Sequence, residues 1–225
     1  MKKLFIFISI LIFNVIISFS QSIDEQYDVT KFLGIPVDGS KKEMINKLKD
    51  KGFKMKKFGN SKMLYGNFNN NDVYLNIQTN HDKVYRVIVF DANTYGSRSI
   101  KTRWNNLCYQ FKNNPNYFSV NDYEKSEDEN IDNYLHEQAL FYQQPIDSLV
   151  GNKTINEMTT RKAAGEFDTL STAELKLEFE RTYTLNKIKA MYHKTVWFTI
   201  VDFGEGYRLV LYYENGLNKD DGSDL

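Results

Sequence analysis

The sequence predicts an α+β fold, a curved, largely antiparallel sheet built from two helix-then-strands units, with the helices on one face and a helical insertion in the second unit. Three observations predict it. The stretch from Met63 to Asp91 reads as strands separated by short Asn- and Asp-containing breaks: MLYGNF, NNND, VYLNIQT, NHD and KVYRVIVFD. Within VYLNIQT, Val73, Leu75 and Ile77 alternate with Tyr74, Asn76 and Gln78, the period-2 pattern of a strand with one buried face. Two stretches of helical spacing each stand ahead of strand-like runs, one before Met63 and one after Asp91.

The chain opens with Lys2 and Lys3, an apolar run from Leu4 to Ile17, and the small residues Ser18 and Ser20. Basic start, apolar middle and small-residue end mark residues 1–20 as a secretory signal peptide, with cleavage expected just before Gln21. The competing reading, a membrane anchor, needs about 20 apolar residues, more than the unbroken run supplies. The expected product is exported, periplasmic or secreted, with no membrane insertion once the signal is removed. Removing Lys2 and Lys3 from 29 basic residues leaves 27 against 29 acidic ones, so no electrostatic footprint for nucleic acid exists. The single cysteine, Cys108, forms no internal disulfide, and stability rests on packing by 16 Phe and 15 Tyr.

Residues 21–31 read as a flexible lead-in and residues 32–214 as a single α+β domain, with the first unit at 32–91 and the second at 97–214. In the first unit Ser40 and Glu43 form a capping box, Met44, Ile45 and Leu48 recur at helical spacing, and Gly52 supplies the left-handed stop. The second helix is expected from Ser97 or Ser99 to Lys112. There Ile100, Trp104, Leu107, Cys108 and Phe111 share one face, and Pro115 follows. Cys108 therefore reads as a small buried residue rather than a reactive thiol. Tyr117 to Val120 and Glu137 to Gln143 read as strands, and the acidic run Glu124 to Asp132 as a solvated loop. Residues 145–189 read as the helical insertion. Ser171 and Glu174 signal a second capping box, although Leu175, Leu177 and Phe179 alternate like a strand. Ala190 to Phe203 and Tyr207 to Tyr213 read as a hairpin turned at Gly204 to Gly206, and residues 215–225 as a polar, frayed tail.

Motifs for chemistry are absent from the sequence. His81, His136 and His193 are scattered and read as turn or surface residues, and His136-Glu137 lacks the second histidine of a zinc-binding helix. The sequence has no Gly-x-Ser-x-Gly elbow, no phosphate-cradling loop and no Cys-x-x-Cys. Asp220, Asp221 and Asp224 lack the Glu that closes a calcium loop. No catalytic residue, metal site or cofactor is nominated. The aromatic residues of the strands are the remaining signal. Tyr74 faces away from Val73, Leu75 and Ile77, and alternation assigns Tyr85, Trp197 and Tyr212 to the same face. These four form either a second buried layer under the insertion or a partner chain, or a binding surface for an unidentified protein or glycan of the cell envelope. The expected function is that of an exported binding or interaction protein without catalysis. The alternative is an exported hydrolase acting on glycan or peptide, whose paired carboxylates meet only in space.

Two resemblances accompany these readings. GSKKEMINKL resembles the opening of the helix-plus-sheet units in beta-lactamase-inhibitor-protein-like and SmpA/OmlA-like folds, without the Leu-Gly-x-Pro helix ending of those units. FLGIPVDGSKKEMINKLKDKGF, IVFDANT, RWNNLCYQF and the ending from VWFTIVDF to DGSDL resemble a group of uncharacterised secreted proteins of Bacteroidota. The second resemblance implies an exported compartment and no particular activity. Intact-mass measurement of exported protein is expected to show a chain beginning at Gln21, and retention of Met1 to Ser20 would refute the assignment of the leader.

Overall fold

A computed structural model describes residues 28–135 and 137–219. The expected signal peptide, most of the lead-in, His136 and the aspartates of the tail lie outside the described residues. A small hairpin of β1 (Lys31–Phe32) and β2 (Ile35–Pro36) leads into helix α1 (Lys41–Asp50). Strands β3 (Lys54–Phe58), β4 (Ser61–Phe68), β5 (Asn71–Asn80) and β6 (Lys83–Asp91) follow as a meander. Helix α2 (Ser97–Lys112) then precedes β7 (Tyr117–Phe118), the short α3 (Asp132–Leu135) and β8 (Ala139–Gln143). The insertion is a helical hairpin, α4 (Asp147–Ala163) and α5 (Thr172–Tyr192), and the chain closes with β9 (Lys194–Asp202) and β10 (Tyr207–Asn215).

All eight large-sheet strands pair antiparallel, in the order β3-β4-β5-β6-β10-β9-β8-β7. Each half is a helix followed by four strands, and the halves meet through their last strands, β6 and β10. The expected α+β class and antiparallel sheet are present. Local chemistry explains the individual turns and caps. Ser40 and Glu43 form the reciprocal capping box of α1, and Gly52 leaves the helix at φ +98°. The hairpin turns Asn69-Asn70 and His81-Asp82 both hold left-handed backbone, which fits two-residue loops between twisted strands.

One face of the sheet carries the core. Val73, Leu75, Ile77, Val87, Val89, Phe198, Ile200, Leu209 and Leu211 pack with Met44 and Leu48 of α1 and with the apolar stripe of α2. Trp104 is fully buried, edge-on to the rings of Phe198 at 4.8 Å and Tyr134 at 5.8 Å, and its indole N–H donates to the Tyr123 carbonyl at 2.9 Å. At the end of β6, the buried Asp91 accepts two hydrogen bonds from Arg103 of α2, at 2.6 and 2.5 Å, and a longer one of 3.4 Å from the Leu209 amide of β10. Burial pushes the Asp91 carboxyl above the ordinary range, and the Arg103 guanidinium opposes that shift.

The structure differs from the sequence reading in four places. Ala190 to Tyr192, expected to begin a strand, complete α5, and β9 starts only at Lys194 after the His193 cap. Ala and Met at that point extend a helix already propagating from the Ser171–Glu174 capping box. The described end of the expected flexible lead-in is held in place: Val29 and Thr30 are buried, Asp28 pairs with Lys194 at 2.6 Å and Lys31 opens β1. The acidic stretch keeps its side chains largely in water, but its main chain is held by Lys101, whose ammonium donates to the carbonyls of Glu127 and Glu129. Part of the polar tail is docked: Asn215 is fully buried and donates to the Val37 carbonyl, and Asn218 donates to Asp38 and to the Val84 carbonyl.

Two stability measurements follow. Trp104→Ala removes the centre of the core and is expected to destabilise by about 3–5 kcal/mol in denaturant unfolding, with an unchanged midpoint counting against it. Arg103→Met strands a buried carboxylate and is expected to cost about 3–5 kcal/mol, whereas Asp91→Leu combined with Arg103→Met should recover most of that loss. Equal losses in the single and double variants would show that the pair itself, rather than an uncompensated charge, matters.

Candidate functional site

The face of the sheet opposite α1 and α2 follows from register. Across the centre of the sheet, Asn76, Ile88, Tyr212 and Trp197 align on neighbouring strands, and the next row carries Gln78, Arg86, Glu214 and Thr195. Tyr212 and Trp197 are direct cross-strand partners, and their rings stack nearly parallel, with centroids 3.7 Å apart at 7°. Both are partly exposed.

The adjoining row fixes that stacked pair by charge. Glu214 accepts from the Trp197 indole N–H at 3.0 Å and pairs with Arg86 at 2.6 Å, so one carboxylate oxygen serves both groups. Arg86 in turn lies 5.6 Å over the Tyr212 ring and 5.2 Å over the Tyr85 ring, a geometry for cation–π attraction on both. Its guanidinium also donates to Gln78 at 3.2 Å, and the Tyr85 hydroxyl donates to the same amide oxygen at 2.9 Å. Partial burial raises the Tyr212 phenol above its ordinary range, so it stays protonated and available as a donor at neutral pH.

Three of the four aromatic residues singled out from the sequence therefore come together. Tyr85 lies on the outer face although it shares parity with the core residues Val87 and Val89. A register shift at Gln78/Thr79 places Tyr85 beside Arg86 on the outer face. Tyr74 belongs to a different cluster. It is almost buried and lies against Tyr65 at 5.2 Å, Phe58 at 4.7 Å and Phe90 at 5.8 Å, with the Lys56 ammonium 3.8 Å over the Tyr65 ring. Sequence reasoning also missed Arg86 and Glu214, the charged pair that joins the aromatic residues. Glu214 shares strand parity with Tyr212, whereas only the β6–β10 register brings Arg86 beside it.

A polar cleft of about 740 Å³ opens on the helix side of the sheet, bordered by Asp28, Phe111, Tyr117, Gln143, Lys194 and Tyr213. Gln143 donates to the Tyr117 hydroxyl at 3.0 Å, and burial pushes the Tyr213 phenol well above its ordinary range. Asp28, the one carboxylate among the described residues that border the cleft, is bonded to the Lys194 ammonium at 2.6 Å. Cys108 is buried on the core face of α2, and desolvation pushes its thiol up to about 12, which keeps it in the unreactive protonated form. Among the described residues, no group of three or more His, Cys, Asp or Glu side chains is arranged to hold a metal ion, and no helix is long and apolar enough to cross a membrane.

Comparison of the chain with protein-family models, with curated proteins and with solved structures returned no match.

Proposed function

We propose that this is an exported binding protein that engages a partner of the cell envelope, a protein or a glycan, through the outer face of its sheet. The observation that carries the reading is the stacked Trp197–Tyr212 pair, partly exposed and held by the Arg86–Glu214 ion pair. Stacking and the bond from Glu214 immobilise two large rings before any partner arrives, so little rotamer entropy remains to be lost on contact. Rigid aromatic area beside a charged, donor-rich row combines an apolar platform with groups that fix orientation.

The helix-then-four-strands order of both halves supports the resemblance to beta-lactamase-inhibitor-protein-like units, and export rests on the leader.

The test is capture from the envelope fraction with the mature protein and with a Trp197→Ala, Tyr212→Ala variant. The variant is expected to lose at least ten-fold in partner capture with little change in melting temperature. Protease treatment of the fraction separates a protein partner from a glycan. Undiminished capture by the variant would remove the outer face from the binding function.

A further inference from the structure

The overall balance of charge hides an uneven distribution. Residues 41–62, which run from α1 through β3 into β4, carry nine lysines against two carboxylates, Glu43 and Asp50. All nine are exposed, and among the described residues none is ion-paired. Glu43 is committed to its capping box with Ser40, and across β4 the Asp72 carboxylate accepts from the Tyr65 hydroxyl at 2.7 Å. Ordinary structural roles account for only part of this set. Lysine on an edge strand discourages pairing with stray strands, which fits Lys54, Lys56 and Lys57 of β3. Lys47 and Lys49 favour the last turn of α1. Lys41 and Lys42, however, open the same helix, where its dipole disfavours cations, so neither rule explains them.

The placement of these charges selects the partner. In the second half of the chain the acidic stretch has counterions of its own: Lys112 pairs with Asp122 and Glu124, and Lys125 with Glu129 and Glu137. The unpaired lysines therefore point to an anion from outside the chain. Register sets them on both sides of the sheet. Lys54 and Lys56 share the outer face with Tyr65, Lys57 and Lys62 have the opposite parity, and Lys41 and Lys42 stand on α1, which covers the other face. A flat anionic surface meets one side only, whereas a flexible chain of repeated charges can follow all of them round the β3 edge. Aromatic rings lie on that path: the Lys56 ammonium sits 3.8 Å over the Tyr65 ring, and Phe58 lies 4.7 Å from Tyr74, with Phe58 and Tyr65 partly exposed. Ring faces beside ammonium groups suit sugar rings that bear carboxylates. We infer that the β3 edge together with α1 binds an acidic polysaccharide, a chain of sugar rings carrying repeated carboxylates.

This surface is distinct from the Trp197–Tyr212 pair of β9 and β10, and the inference does not rest on that pair. Isothermal titration of the mature protein with oligogalacturonate is expected to show saturable binding, with none to neutral dextran. Affinity should fall at least ten-fold as salt rises from about 50 to about 200 mM, because exposed charges are screened. Lys54→Glu with Lys56→Glu and Lys57→Glu should weaken binding at least ten-fold and leave the melting temperature unchanged, since all three side chains are exposed. Lys41→Glu with Lys42→Glu, on the other side of the sheet, should weaken it as well. The Trp197→Ala, Tyr212→Ala variant should bind oligogalacturonate as the wild type does, and loss of binding in that variant would move the site to the stacked pair and overturn the inference. Absence of oligogalacturonate binding, equal binding to dextran, or undiminished binding by the β3 variant also overturns it. Preferential binding to phosphatidylglycerol vesicles or to a single-stranded oligonucleotide overturns the polysaccharide as occupant.

Discussion

The pairing of β6 with β10 is the constraint on which the rest of this fold depends. Each half of the chain runs helix first and then four strands, and the halves join through the strands each makes last. That junction sends the first strands of both halves to the outside of the sheet and brings α1 and α2 onto a common face, where one continuous core forms. Asp91 sits where the junction meets α2, bonded to Arg103 and reaching the Leu209 amide of β10. A buried ion pair is a weak source of net stability, because both ions must leave water. Its contribution here is directional: the carboxylate is satisfied only when the helix and both central strands stand in one relative arrangement.

Much of this was legible in the residues themselves. Alternation of Val73, Leu75 and Ile77, the capping boxes at Ser40 and Ser171, and the stripe from Ile100 to Phe111 each declare a local structure whose cause lies within a few residues. Features set by distant partners were less accessible. Asn215 is buried in a polar tail because the Val37 carbonyl, far away in sequence, needs a donor. The register shift beside Gln78 leaves Tyr85 as an extra residue between paired positions, and nothing in KVYRVIVFD announces that bulge. The pairing of Arg86 with Glu214 joins the first half of the chain to its end, so only the β6–β10 register reveals it.

The outer sheet face and the insertion reverse the usual relation between burial and polarity in different ways. On the sheet, aromatic rings and ions alternate across neighbouring strands, and each ion finds its counterion beside an aromatic ring rather than in water. In the hairpin, threonine, asparagine and an arginine–glutamate pair fill the seam while leucine and isoleucine face out. A seam of hydrogen bonds holds two helices in a defined orientation with little hydrophobic gain. The hairpin is thereby a stiff extension of the sheet whose outer surface is free to do something other than stabilise its own fold.

The position of β10 has a consequence for the order in which this molecule can be assembled. The last strand of the chain lies at the middle of the sheet, between β6 and β9, and supplies Leu209, Leu211 and Tyr213 to the core. A growing polypeptide therefore carries two open half-sheets until its final residues emerge, since β6 and β9 each wait for the same strand. Completion is all at once and late. The β3–β6 meander pairs within itself, so the closing step is the insertion of a single strand between two partly formed halves.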